Sequence, residues 1–359
     1  MSLRELLDGL PIPIVQAPMA GASTPQMALA VSRAGGLGSV AAAAFTPDDI
    51  AAGAKLVRDG TGAPFAINLL VSRTQTPSGE ALDEALARLK PWYDELGVPL
   101  PDKPNRFSHD FEAQLDAVIA AAPPIASFAF DLIDRDRIAA LKAAGSYVVG
   151  AANTVAEARA WAEAGADGIC AQGMEAGGHR GNFIAEIDAS LIGTMALVAT
   201  VRAAVDLPVI AAGGIMDGRG VAAALSLGAS AAQMGSAFLC ADHAITGPVW
   251  QKALAEAPDD PTRLTRAFSG RYARGLENRF MREMRPIEDE LPPYPVQNRL
   301  TQAMRAAAQK AGDPELMSLW AGQAVKLAGP GEPGEMVRRW WDEAREASRA
   351  LTERVSRPS

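Results

Sequence analysis

One joint, repeated four times, constrains this chain more than any other feature. An Ala-rich or apolar stretch ends in a small-residue turn with glycine, and a new run begins at once. The copies are Ala34-Gly35-Gly36-Leu37, Ala144-Gly145-Ser146-Tyr147, Ala164-Gly165-Ala166-Asp167 and Leu227-Gly228-Ala229-Ser230. Glycine just past a helix end accepts a left-handed backbone without a Cβ penalty. Each copy therefore reads as a helix handing over to a strand, and their repetition marks a βαβ series.

Eight runs supply the strands: Ile12–Met19, Leu37–Ala43, Phe65–Val71, Ile125–Phe130, Tyr147–Ala151, Gly168–Gln172, Pro208–Ala212 and Ala231–Ala237. Most are apolar throughout. Parallel strands read this way when helices cover one face and a barrel interior packs the other. The pattern predicts an α/β fold, a (β/α)8 TIM barrel, in preference to an open doubly wound sheet.

Two segments stand outside the alternation. Ser72–Ser108 is polar and Pro-rich, with a helical stretch near Gly79–Leu96. The tail from about Thr262 is richer in Arg, Pro and Met, with helices expected near Asn298–Ala311 and Pro314–Leu327. The predicted partition is a barrel of residues 1–71 and 109–261, with a mostly helical cap, or substrate subdomain, of 72–108 and 262–359.

Charge and hydropathy narrow the partners. The net charge is −8 and Lys and Arg are dispersed, so a phosphate backbone is repelled and nucleic-acid binding is not expected. No uncharged apolar run reaches the ~20 residues a bilayer requires, and Met1–Leu10 has acidic residues where a secretory leader has a long apolar core. A cytoplasmic enzyme, monomer or homodimer, is expected. Cys170 and Cys240 sit in apolar runs and read as buried thiols, not as a disulfide framework.

Barrel chemistry sits at the C-terminal ends of the strands. The seventh candidate strand runs into Gly213-Gly214-Ile215, with Asp217 opening the next helix; the eighth ends in Gln233-Met234-Gly235-Ser236. Glycines there let backbone N–H groups approach an anion, and helix N-termini add favourable dipoles. Barrels commonly hold phosphate after these two strands; two tight turns that simply need glycine are the alternative. The strand ends offer only Asp131 and Glu175 with one nearby histidine, too few for a metal site, and no strand carries a lysine for a Schiff base. They offer amides instead, Asn68 and Gln172, which both donate and accept and suit the mixed polar edge of a flavin. The glycine-rich loop Gln172 to Asn182 carries His179 on the catalytic rim, where imidazole is the usual general base. His109 and His243 read as structural or exposed.

Pro13-Ile14-Val15-Gln16-Ala17-Pro18-Met19-Ala20-Gly21, Ala34 to Gly38, Gln172 to Gly181 and Ala211 to Ile215 resemble, in this order, the motifs of the nitronate monooxygenases. The similarity continues through Gly312-Asp313-Pro314-Glu315 and Leu319-Trp320-Ala321-Gly322-Gln323. It implies bound FMN, contacted through Met19, Asn68, Gln172, Gly177, Gly178, Gly213, Gly214, Gln233, Met234, Gly235 and Ser236, with His179 as the catalytic residue. It implies oxidation of an alkyl nitronate with O2 to a carbonyl compound and nitrite. Related FMN enzymes that reduce enoyl thioesters or quinones with NAD(P)H are the alternative within the superfamily, and a non-redox phosphate-binding barrel the alternative outside it. One departure is visible: many relatives carry Ser-Phe-His-Phe in the fourth strand, where this chain has Ser127-Phe128-Ala129-Phe130. Trp320 and Lys326, on one expected tail helix, are candidates to line the cap, or else a packed aromatic and a surface lysine.

Overall fold

A computed structural model describes residues 1–73 and 77–356. The strands are β1 Ile14–Gln16, β2 Gly38–Ala41, β3 Phe65–Leu70, β4 Ile125–Ala129, β5 Tyr147–Ala152, β6 Gly168–Gln172, β7 Gly178–His179, β8 Val209–Ala212, β9 Ala231–Met234, β10 Thr262–Thr265 and β11 Ala273–Leu276. Eight of them form one parallel sheet in the order β1-β9-β8-β6-β5-β4-β3-β2. A Val15–Leu37 bridge joins β1 to β2 and closes the barrel. Each of the eight expected runs coincides with one of these strands: seven hold the strand whole, trimmed by up to a few residues, and β5 runs one residue past its expected end to Ala152.

The helices are α1 Leu3–Asp8, α2 Pro25–Arg33, α3 Pro47–Gly60, α4 Gly79–Glu95, α5 Phe111–Ala121, α6 Arg135–Ala143, α7 Val155–Ala164, α8 Thr194–Ala204, α9 Gly218–Ser226, α10 Gly247–Glu256, α11 Arg279–Met284, α12 Val296–Leu300, α13 Gln302–Ala311 and α14 Pro333–Val355. Several start on a side-chain cap, as where Thr46 accepts from Asp49 N–H and Asp49 reaches back to Thr46 N–H. The short α1 buries Leu3, Leu6 and Leu7 against Val15, Leu37, Ala66, Ile125, Val149 and Ile210. These are interior positions of the barrel, so α1 plugs its N-terminal end and leaves the C-terminal mouth open for a site.

A second core lies over that mouth. Leu82, Leu89, Trp92 and Tyr93 of α4 pack with Phe268, Phe280, Met281, Leu300 and Met304 of the tail, and the Tyr93 hydroxyl donates to Leu300 O at 2.6 Å. The insertion and the tail thus build the helical cap together. Two helices pack across the partition expected from sequence. Trp250 and Leu254 of α10 join the cap core, while Met336, Val337, Trp340 and Ala344 of α14 join the barrel core, over α2 and α9. The helix expected at Pro314–Leu327 is not formed. That stretch holds two 3-10 turns, Pro314–Leu316 and Val325–Leu327, and between them Trp320 pairs with Gly275 beside β11. The small sheet β10-β11-β7 is antiparallel and was not anticipated. Among the described residues, no helix is long and apolar enough to cross a membrane.

Candidate active site

The strand ends open on a cavity of about 1220 Å³. Its lining includes Met19, Asn68, Gln172, Gly177, Gly178, His179, Gly213, Gly214, Gln233, Gly235 and Ser236. The barrel therefore gathers nearly every residue singled out from sequence. Met234 is the exception: its side chain is fully buried in the core between sheet and helices, because successive strand residues face opposite ways and Gln233 takes the inward turn. Only its backbone lies at the rim.

The floor of the cavity has unused backbone donors. The amides of Gly213, Gly214 and Gly235 donate to no acceptor among the described residues. A Cβ built on Gly235 would meet only Ala17 Cβ at 3.4 Å and Met19 Sδ at 3.7 Å. The protein itself does not require glycine there, so the bare position suits the close approach of a ligand. Asp217 caps α9 through Gly220 N–H at 3.1 Å, and Gly218 N–H donates to Glu343 Oε2 at 3.0 Å, so that helix N-terminus is met by α14.

The amides divide into two roles. Asn68 donates to Ser127 O at 3.1 Å and Ser127 Oγ at 3.0 Å, and its Oδ1 has no donor among the described residues. Gln233 donates to the Cys170 sulfur at 3.4 Å, again with its oxygen unclaimed. Burial pushes the Cys170 thiol up to about 12, so it stays protonated. Gln172 is mostly engaged. Its Oε1 accepts from Asn153 Nδ2 at 3.0 Å and Gly181 N at 3.2 Å, and its Nε2 donates to His179 O at 3.1 Å. One amide hydrogen remains for a ligand; the rest pins the His179 loop to β6.

His179 lies on β7, paired to Ala273 of β11. Its ring sits in an aromatic cage, 5.6 Å from Phe130, 5.5 Å from Tyr294 and 5.5 Å from Trp320 between centroids. Nε2 lies 2.9 Å from Ser269 Oγ. Burial, helped by the charges of Arg271 and Arg305, pulls the imidazole down to about 3, so it is neutral at any physiological pH. Arg271 stacks on Phe130 at 4.1 Å and donates to Arg180 O at 2.8 Å and to Asn182 O. Arg305 lines the cavity and donates to Asn298 O at 2.8 Å and Ser318 Oγ at 3.2 Å. Burial lowers both guanidiniums to about 10, which leaves them charged. Neither forms an ion pair with a carboxylate of the described residues. A neutral imidazole among aromatic faces and unneutralised cations is a site for a small anion.

Residues that sequence placed at the rim but that serve structure include Glu175 and Asp131. Glu175 caps α8 through Thr194 N–H at 2.9 Å, and Asp131 holds its own loop through Leu132 N–H. His243 is exposed, and His109, also exposed, stands at the outer edge of the cavity. Trp320 faces His179, whereas Lys326 donates to Ala257 O away from the cavity. Ser269, Arg271, Tyr294 and Arg305 were not found from sequence. No motif marks them, and only the tertiary fold carries them to β7.

The loop that carries His179 rests on a buried carboxylate. Glu157 is fully buried and accepts from the amides of Asn153 at 2.7 Å, Phe183 at 2.9 Å and Ile184 at 3.2 Å. Beside it Arg180, also fully buried, donates to Gly173 O at 2.6 Å and Ser190 O at 3.1 Å. Glu157→Leu leaves those amides without an acceptor. We expect a loss of about 3 kcal/mol or more, read as a lower denaturant midpoint; a change below about 0.5 kcal/mol would show that the loop does not depend on this carboxylate.

Free glycine donors after the last two barrel strands, free amide oxygens on the strand ends and a caged histidine at the mouth mark the strand ends of this TIM barrel as its candidate active site. The chain belongs to the nitronate monooxygenase family, whose sequence profile matches residues 4–339. A probable nitronate monooxygenase of Staphylococcus aureus (strain Newman) is 40% identical over 317 residues, 88% of this chain and 89% of that one. Among solved structures, nitroalkane oxidase from Streptomyces ansochromogenes superposes with a TM-score of 0.89 at 42% identity, covering 96% of this chain and 99% of that chain. FabK from Thermotoga maritima superposes at 0.75 with 30% identity, covering 98% and 99%. Membership makes the chain an oxidoreductase of this kind, and a flavin is what the family resemblance implies.

Proposed function

We propose that this protein is an FMN-dependent oxidase of alkyl nitronates, with O2 as the second substrate and a carbonyl compound and nitrite as products. The observation that carries the reading is the neutral His179 facing a cavity whose nearby guanidiniums, Arg271 and Arg305, lack carboxylate partners. A nitronate is a small anion of the kind such surroundings hold. The likeness to the nitroalkane oxidase structure supports it further.

The site fits FMN on its own terms. The free amides of Gly213, Gly214 and Gly235, with Ser236, would hold one phosphate; Asn68 and Gln233 would meet the polar edge of the ring with their free oxygens; Met19, Gly177 and Gly178 would flank it. A bound flavin supplies the electron chemistry. The chain's residues do the rest. The aromatic cage excludes water from around His179. The guanidiniums attract the anion and oppose a positive charge on the imidazole. A neutral imidazole at the cavity wall can accept a proton from a nitroalkane carbon where the nitronate formed beside it offsets the new positive charge, or hydrogen-bond a nitronate that has already lost it.

Anaerobic mixing tests this reading. A nitronate should bleach the bound flavin and NADH should not; bleaching by NADH alone would transfer the chain to the reductase branch. Released cofactor should be FMN, since the free glycine amides would cradle one phosphate.

The buried imidazole also makes stability depend on pH. Its folded value of about 3 lies below the unfolded value of about 6.5. Between those limits the unfolded chain binds more protons, so this contribution is intact above pH ~6.5 and is lost as pH falls toward ~3. Wild type should lose stability over that window more steeply than His179→Asn, by a few kcal/mol in total. Parallel pH profiles of unfolding free energy would refute the burial of a neutral ring.

A further inference from the structure

We propose that the turn Ser269–Gly270–Arg271 is the positioning element of His179: it fixes the Nε2–H tautomer and presents the bare Nδ1 lone pair to the cavity. The inference rests on the nitronate reading for what that lone pair does, but not for its existence.

Ser269 is buried and its hydroxyl has one hydrogen to give. Two acceptors compete for it: Arg271 O at 3.0 Å and His179 Nε2 at 2.9 Å. No other donor among the described residues reaches Arg271 O. If the hydroxyl turned to the imidazole, that carbonyl would lose its partner, which costs about 1–3 kcal/mol when buried. If the hydroxyl donates to Arg271 O, its lone pair accepts from His179 Nε2–H and every group is satisfied. Nδ1 then carries no proton. Among the described residues it has no partner, and the ring lines the cavity.

The rest of the turn makes this arrangement rigid. Gly270 has φ +80°, and a Cβ there would stand 2.1 Å from Pro292 O. Only glycine lets the turn press against the segment that carries Tyr294, the next wall of the cage. Arg271 reaches forward with its Nε to Arg180 O at 2.8 Å, and Arg180 N–H donates back to Tyr272 O at 2.8 Å. Ala273 pairs with His179 itself. One short segment therefore grips the residue before, at and after the ring, through backbone and side chain together. Gln172 holds His179 O from the opposite side. Such outer partners fix a histidine's tautomer and direction wherever a ring nitrogen must be kept available.

The test is direct because the chain has three histidines. In 15N-labelled holoenzyme, long-range imidazole spectra, with His179 assigned by loss of its signals in His179→Asn, should show a pyrrole-type Nε2 and a pyridine-type Nδ1. Ser269→Ala should shift His179 toward the other tautomer or a mixture, and Ser269→Thr, which keeps the hydroxyl, should restore the pattern. With a neutral nitroalkane, Ser269→Ala should lower kcat about 10–100-fold, the range usual for a lost outer partner, with little change in KM or in flavin content. A pyridine-type Nε2 in the wild type overturns the proposal, and so does an unchanged pattern in Ser269→Ala. If that variant does not fold, the wild-type spectrum alone decides. If the spectrum is as expected while no nitroalkane or nitronate is turned over, the positioning stands and the functional reading fails.

Discussion

His179→Asn should retain its flavin and lose turnover with a neutral nitroalkane by roughly 10²–10⁴-fold, the usual worth of a positioned general base. Asparagine fills similar space and offers a hydrogen-bonding group toward Ser269, so the cage of Phe130, Tyr294 and Trp320 has little reason to collapse. Turnover with a pre-formed nitronate should fall less, because that substrate has already given up its proton. The two losses together separate the roles. A large loss on the nitroalkane alone identifies a base. Equal losses identify a partner for the anion. Unchanged rates on both remove His179 from the chemistry and turn attention to Arg305 and Tyr294. The folded value of about 3 also bears on the pH profile of the free enzyme. The ring stays unprotonated throughout the range in which assays are run, so an acid limb near pH 6 should not arise from His179.

In the proposed role His179 would be oriented by a hydroxyl, with no carboxylate at the ring. A carboxylate beside the ring would favour its charged form and pull a proton onto it. Ser269 orients without adding charge, and Arg271 and Arg305 push in the opposite direction. The surrounding cations are themselves held by carbonyl oxygens: Arg180 O and Asn182 O for Arg271, and Asn298 O for Arg305. Carbonyl dipoles satisfy the guanidinium donors without cancelling their charge, which is what an anion site needs.

The parts of this molecule that can be read from sequence are those whose signal is local. Strands such as Phe65–Leu70 and Gly168–Gln172 are legible because burial on both faces makes them apolar runs. The glycines after β8 are legible as a turn because Gly213 and Gly214 both take a left-handed backbone, φ 117° and 72°, that favours glycine. Other features leave no local trace. β10 and β11 are four residues each and β7 is two, too short for an alternation to emerge, and Arg263 and Arg274 interrupt their apolar character. The stretch around Trp320 has apolar residues at helical spacing, yet its backbone is drawn into pairing with Gly275, and tertiary contact overrides propensity. Arg271 and Arg305 resemble any other arginine of the tail until β7 and β11 pair and α13 closes over the mouth. Gln172 shows the opposite case. Its position was visible, but its main work, holding the His179 loop, depends on Asn153 and Gly181, which only the fold brings to it.

Gly235→Val should give a folded protein that retains little flavin, with affinity lowered on the order of a hundredfold or more, equivalent to about 2.8 kcal/mol. Gly214→Val tests the same cradle less cleanly. Gly214 has φ +72°, and a Cβ there would stand 3.2 Å from Glu175 Cβ. A β-branched residue is strained in that conformation whether or not a cofactor binds, so flavin loss in Gly214→Val mixes a distorted turn with a blocked site. Gly235 carries no such ambiguity. Its φ of −110° suits any residue, and the protein atoms a Cβ would meet lie at ordinary contact distance. What a valine there would crowd is the cavity itself, beside the free amides of Gly213 and Gly214. The expected result is therefore a wild-type unfolding midpoint for the apoprotein together with a collapsed flavin occupancy. Gly235→Ala should fall between, because one methyl displaces the phosphate less than three carbons do. Full flavin occupancy in Gly235→Val, with the fold intact, would place the phosphate elsewhere on the rim. A large drop in apoprotein stability would instead mean that β9 and the turn after it need the glycine for their own packing.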